Sequence, residues 1–177
     1  MRYAQIRELD ISNGEGIGVA MFVQGCRFAC KNCFNPDTWD FNGGKEWTQE
    51  TEDKLIELAS RPYIKRLSIL GGEPLADENL DGVLHLVNRF RLLCPNKSIW
   101  VYSGYTFDGV MFPLMINKIP TEEEEKRIQI IKQCTVMVDG KYIDSQRNPS
   151  KKWAGSDNQR VINVPESLKQ GKVITLE

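Results

Sequence analysis

Three cysteines fall within eight residues, in the run Cys26-Arg-Phe-Ala-Cys30-Lys-Asn-Cys33. Thiolates are soft ligands, suited to zinc or to iron–sulfur clusters. Structural zinc takes four ligands, usually as two separated pairs. This loop supplies three, so a closed zinc site needs Cys94, Cys134 or the single histidine, His85, as its fourth. Three thiolates on a four-iron cluster leave one iron open, and an open coordination position is what chemistry requires. An open iron–sulfur site is therefore the favoured reading. Two non-enzymatic readings stand beside it. One is a zinc-stabilised binding module. The other is a simple electron carrier, disfavoured because such proteins saturate their clusters with four cysteines. Cys94 and Cys134 read as buried small hydrophobes.

The second group is Gly71-Gly72-Glu73-Pro74-Leu75. Glycines let a backbone approach a ligand closely, and a carboxylate pairs with an ammonium. Taken alone, such a run is an ordinary strand-ending turn. It gains meaning from the cysteine loop, because each of the two follows an apolar run. In open α/β sheets, ligands bind at the carboxyl ends of strands.

These residues need a scaffold, and the chain has enough length to build one. Its 177 residues correspond to a single domain, 1–177, with a core that needs no disulfides. Hydrophobic residues are 41% and charged residues 27%, as in soluble globular proteins. With 23 basic and 24 acidic residues the net charge is −1, which argues against nucleic acid or an anionic membrane as partner. No apolar run reaches the ~18 residues of a membrane span, and Met1 to Asp10 carries charges where a signal peptide is apolar. A reduced, cytoplasmic location is expected, where clustered cysteines bind metal rather than form disulfides.

Alternation organises the chain. Strands are expected at Val19–Gln24, Arg66–Leu70, Ser98–Tyr102 and Cys134–Val138. Helices are expected from an N-cap at Thr48, over Asp77–Leu93 before Pro95, over Asp108–Ile116, and from the Thr121/Glu124 capping box to Gln133. Beyond Gly140 the pattern weakens, and only Arg160–Val164 and Val173–Leu176 look extended. Phe107–Pro120, rich in Met and Phe, is either exposed for docking or core. The expected fold class is α/β: a partial, open β/α barrel with a mainly parallel sheet. It carries a cluster loop at 24–39 and an irregular C-terminal segment at 140–177.

The spacing C-x₃-C-x₂-C, with Gly-Gly-Glu after the next strand, resembles the radical S-adenosylmethionine superfamily. The blocks Phe22-Val-Gln-Gly-Cys26, Cys33-Phe-Asn-Pro-Asp-Thr-Trp39, Ser98-Ile-Trp-Val-Tyr-Ser-Gly-Tyr105, Val138-Asp-Gly-Lys-Tyr142 and Gly155-Ser-Asp-Asn-Gln-Arg160 narrow it further. They resemble the activating proteins of anaerobic (class III) ribonucleotide reductase, over nearly the whole chain.

The resemblance implies that Cys26, Cys30 and Cys33 hold a [4Fe-4S] cluster. S-adenosyl-L-methionine, bound at the open iron, is cleaved reductively to a 5′-deoxyadenosyl radical. That radical generates a glycyl radical on the large subunit of the reductase. A one-electron donor such as a flavodoxin is implied. By position, Gly71, Gly72 and Glu73 would face the methionine amino group. Asn32 and Phe34 would line the adenosyl side, and Ser103 would meet the ribose or carboxylate. Asp139 is a weaker candidate, and Asn158, Gln159 and Arg160 would lie near the substrate glycine. Trp39 and Trp100 read as core or partner-facing aromatics, and no acid/base pair is needed. Within the superfamily, the alternatives are activation of a formate-lyase-type glycyl radical enzyme or chemistry on a small molecule.

Two departures stand out. The residue before the last cluster cysteine, often aromatic in the superfamily, is Asn32. The Gly-Pro-Gly pattern with Arg two residues on is here Gly14-Glu15-Gly16-Ile17-Gly18. Any anion contact made there in relatives is missing or supplied elsewhere.

Overall fold

The apolar run Gly18–Val23 is buried on both faces, as expected for a central strand with neighbours on each side. In the computed structural model, which describes residues 1–176, it is β2 of a single seven-stranded sheet. The other strands are β1 (Arg2–Asp10), β3 (Lys45–Glu46), β4 (Arg66–Gly71), β5 (Ser98–Ser103), β6 (Val136–Asp139) and β7 (Arg160–Asn163). Their order is β3-β1-β2-β4-β5-β6-β7. The central pairings β2–β4, β4–β5 and β5–β6 are parallel, while the outer strands pair antiparallel. The fold is mixed α/β, and the sheet is not closed.

Helices α1 (Gln49–Ala59), α2 (Leu80–Leu93), α3 (Phe107–Met115), α4 (Glu122–Lys132) and α5 (Val164–Gln170) complete the fold. Local chemistry starts them. Thr48 Oγ1 caps α1, and Thr121 with Glu124 forms both bonds of the capping box on α4.

The period of two along each strand sorts the sheet's faces. Val19, Met21, Val23, Leu67, Ile69, Ile99 and Val101 enter one large core with residues from all five helices. The alternate residues Ala20, Phe22 and Leu70 form one small cluster, and Trp100, Val136 and Val138 another. The helices thus seal one face of the sheet and leave the other to loops. Among the described residues no helix is long and apolar enough to cross a membrane.

Several expectations shift. Arg2–Asp10 forms β1, whose side chains are mostly half-buried or exposed. An antiparallel strand near the margin of the sheet, with polar residues interspersed, carries no continuous apolar signal. The strand expected to begin at Cys134 begins at Val136, because the Cys134 amide still closes the turn after α4 on Ile131 O at 2.9 Å. Asp77–Asn79 is a 3₁₀ turn ahead of α2. Val173–Leu176 makes only a bridge, Ile162 to Thr175, and α5 was not anticipated. In Phe107–Pro120 both readings hold in part. Phe107, Val110 and Met111 are core, while Phe112, Met115 and Ile119 are exposed.

Candidate functional site

Parallel register aligns the strand ends. Val23 pairs with Gly71, and Ser103 pairs with Asp139. The cysteine loop and the Gly-Gly-Glu run therefore leave adjacent strands side by side. The ladder continues into both, with Gly72 N donating to Val23 O at 2.9 Å and Glu73 N to Gly25 O at 2.8 Å. Asn79 ties them again, donating from Nδ2 to Gln24 O (3.2 Å) and to Glu73 O (2.9 Å).

Glycine is required where the backbones meet. Gly71 has φ +110, and a Cβ there would stand 2.7 Å from Phe22 Cα. A Cβ on Gly72 would stand 2.5 Å from Gly25 O.

The cysteine loop turns back through two left-handed residues, Ala29 (φ +47) and Asn32 (φ +56). The Cys33 amide closes on Cys30 O at 3.1 Å. These turns set Cys26, Cys30 and Cys33, all half-buried free thiols, on a cavity of 570 Å³. Gly71, Gly72 and Glu73 line it as well. Burial raises the pKa of Cys26 and of Cys30 above the usual thiol value.

Glu73 is 3% exposed. Ser103 Oγ and Leu75 N donate to its Oε1 at 2.7 and 2.9 Å, and Gly104 N donates to Oε2 at 2.7 Å. Among the described residues no basic side chain pairs with it. Burial pushes its pKa up to about 7, against the pull of those donors. Glu73 is thus a carboxylate held in position by neutral donors, at the edge of a cavity, without a contacting cation.

The other residues singled out in the sequence divide. Ser103 lines the cavity, but its hydroxyl is spent on Glu73 and on the Tyr105 amide. Phe34 is 62% exposed at the rim. Asn32 does not line the cavity, and its Nδ2 donates to Asp144 at 2.9 Å. Asp139 is bound by Arg160 and by the Phe107 amide. Gln159 lines the cavity, whereas Asn158 is turned to Lys141 O and Ser156. Trp39 lines the cavity, and Trp100 is buried against Trp153. Lys141, Tyr142 and Tyr102 line it too, although sequence reading gave them no role. The signals for the first two were their place directly after β6 and their membership of the block Val138-Asp-Gly-Lys-Tyr142.

The glycine-rich stretch before β2 has its own answer. A Cβ on Gly18 would meet Arg66 Cγ at 2.5 Å, so the arginine of β4 fills the space beside Gly18. Its guanidinium is fully buried and bonded to Asp10, Ser68, Glu15 O and Gly16 O. It holds the loop and is not free to meet an anion.

The donor set decides what the loop can bind. Cys94 lies against Ser60, the Cys134 thiol bonds Ile130 O, and His85 bonds Glu52. None of the three is available as a fourth ligand for a closed zinc site. Among the described residues no three such donors are drawn together around a single ion. Three thiolates around a cavity, each able to take a different metal atom, fit a cluster with one iron left for a ligand.

Comparison with known proteins agrees with this donor set. Residues 12–162 match the family described as a 4Fe-4S single cluster domain. The chain is 38% identical over 161 residues to the anaerobic ribonucleoside-triphosphate reductase-activating protein of Vibrio cholerae, covering 90% of this chain and 96% of the relative. It is 37% identical over 166 residues to the protein of that name from Escherichia coli K12, covering 93% and 99%. The phage T4 protein of that name is 35% identical over 162 residues, covering 91% and 93%.

Proposed function

The chain belongs to the family of anaerobic ribonucleoside-triphosphate reductase-activating proteins, and from that membership we propose that it generates the glycyl radical of such a reductase. A [4Fe-4S] cluster held there would, on receiving one electron from a donor, supply reductive cleavage of bound S-adenosyl-L-methionine, and with it removal of a hydrogen atom from a glycine of the reductase.

The chain's own part is binding and orientation. Cys26, Cys30 and Cys33 hold the cluster. Gly71 and Gly72 let the backbone come close to the methionine moiety. Glu73 accepts its ammonium. Ser103 and the Gly104 amide act through Glu73, keeping its oxygens aimed. Phe34 flanks the adenosyl side, and Asp144 holds Asn32 at the back of the same loop. Gln159 stands nearest the reductase glycine among the late residues. The whole chain acts as one domain, its sheet a partial, open β/α barrel. It works in the cytoplasm with a one-electron donor such as a flavodoxin.

One observation carries this reading: three thiols and a buried carboxylate without a contacting cation open on one cavity. A ligand bearing an ammonium next to a metal-binding group suits that pairing.

The test is anaerobic. Protein reconstituted with iron and sulfide is reduced, mixed with S-adenosyl-L-methionine and a class III reductase, and followed by electron paramagnetic resonance. Formation of 5′-deoxyadenosine with a glycyl radical on the reductase is the expected result, lost in Cys30→Ala. Cleavage that activates only a formate-lyase-type enzyme would move the substrate assignment. A chain that takes up zinc and no iron would overturn the reading.

A further inference from the structure

The segment after β6 reaches back over the cysteine loop. Gly140 leaves the strand with φ +96. Lys141 O then accepts from Asn158 Nδ2 at 2.8 Å, which fixes where the lysine leaves the backbone. Lys141 is exposed, yet its Nζ lies 4.7 Å from the ring centroid of Phe28, between Cys26 and Cys30. Phe28 is itself braced edge-on by Tyr105 at 5.3 Å. The Tyr142 ring lies 4.9 Å from Phe34, beside Cys33. Tyr142 Oη donates to Asp144 Oδ1 at 3.0 Å, while Asp144 Oδ2 accepts from Asn32 at 2.9 Å. A stretch of four residues thus grips the loop at Phe28, Asn32 and Phe34.

Lys141 thus brings an ammonium to the cavity that Cys26, Cys30 and Cys33 line. A cluster that accepts an electron becomes more negative. Positive charge and hydrogen bonds beside its sulfurs therefore favour the reduced form. Two arginines of this region are already paired. Arg27 is paired with Glu78, and Arg160 is held by Asp139 and Asp108.

We propose that Lys141, seated over Phe28, forms a cationic clamp over the cysteine loop that raises the reduction potential of the cluster. This rests on the cluster reading above and assigns a tuning role to a residue outside the ligand set. Lys141 is solvent-exposed, so screening keeps its effect modest.

The experiment is a potentiometric titration of the reconstituted full chain, without S-adenosyl-L-methionine, followed by electron paramagnetic resonance. Iron and sulfide are assayed in each variant. Lys141→Met is expected to load its cluster and to become harder to reduce. The expected change is roughly three- to tenfold in the one-electron equilibrium, about 30–60 mV at 59 mV per decade. Lys141→Arg should restore most of the difference, and added salt should shrink it. Asp144→Asn, which keeps an acceptor for Asn32 and removes a negative charge, should shift the midpoint the opposite way. That variant carries the test if Lys141→Met fails to load. A Lys141→Met midpoint equal to wild type at equal cluster content, or an Arg variant no different from Met, would overturn the clamp. A wild-type chain that forms no cluster would sink the functional reading instead, so the two failures are distinguishable.

Discussion

Asp10 ends β1 and Glu73 lies two residues past β4, and both are buried alike, at 2% and 3% exposure, yet their surroundings are opposite. Asp10 meets the fully buried Arg66 at 2.8 Å and binds the Asn13 amide, so charge and loop are held together. Glu52 and Asp139 follow the same plan, with Arg89 at 2.8 Å and Arg160 at 2.6 Å. Glu73 receives a hydroxyl and two amides and no cation in contact. A buried charge without a partner is costly, so its retention calls for a reason. The three paired carboxylates join parts of the fold. The fourth sits on the cavity lined by Cys26, Cys30 and Cys33, where a cationic ligand would complete it. On the proposed function, the difference separates carboxylates that join parts of the fold from the one that would meet a ligand.

The comparison breaks most visibly at Asp10. Asp10→Ala leaves Arg66 buried without its partner, and removing one member of a buried pair costs about 3–5 kcal/mol. Urea denaturation of the ligand-free chain should show a loss of that size. A loss below about 1 kcal/mol would mean that the network tolerates solvent and that the two carboxylates are less different than their contacts imply.

Titration gives the next largest effect, and its sign follows from burial. The folded-state pKa of Glu73 is raised from 4.5 to about 7. The folded chain binds this proton more tightly than the unfolded chain. The associated stability is complete below the unfolded pKa, falls through the interval, and is gone above about pH 7. At about 1.36 kcal/mol per unit the fall is on the order of 3 kcal/mol. Denaturation at pH 5 and pH 8, compared between wild type and Glu73→Gln, should show this slope flattened in the variant. A variant with the wild-type slope would place the ionisation elsewhere.

Glu73→Gln should also weaken S-adenosyl-L-methionine binding while iron content stays unchanged. A hydrogen bond to a charged group is worth about 1.5–3 kcal/mol, or about 10–100-fold in affinity. Asp10→Asn, if folded, should leave that affinity near wild type. Equal losses in both variants would erase the distinction between them.

Much of this contrast was invisible in the sequence, and the reason is sequence separation. The central strands and helices announced themselves through period and caps, as Val19–Gln24 and the Thr121/Glu124 box illustrate. The cysteine loop and Gly-Gly-Glu were legible because each is contiguous. Arg66 lies 56 residues from Asp10, and Asn32 lies 112 residues from Asp144, so neither pairing leaves a local trace. Ser103 was legible as a strand-end polar group, but its bond to Glu73 was not. β1 was missed because polar residues interrupt it and its antiparallel pairing needs no continuous apolar run.

The smallest expected effect sharpens the comparison from outside. Glu78 also pairs with an arginine, Arg27, next to the cysteine loop, but the two side chains are 43% and 63% exposed. Water already solvates both ions, and holding two long side chains together opposes the Coulomb gain. Glu78→Gln should therefore leave the melting temperature within the reproducibility of the measurement. It should also leave the Glu73-linked pH slope intact. If this variant matched Asp10→Ala in stability loss, pairing itself would be the stabilising feature, and burial would no longer explain why Glu73 stands apart. If it is silent while Asp10→Ala is not, burial is what gives a carboxylate in this sheet its cost. A buried carboxylate left without a contacting cation can then be read as a place prepared for one.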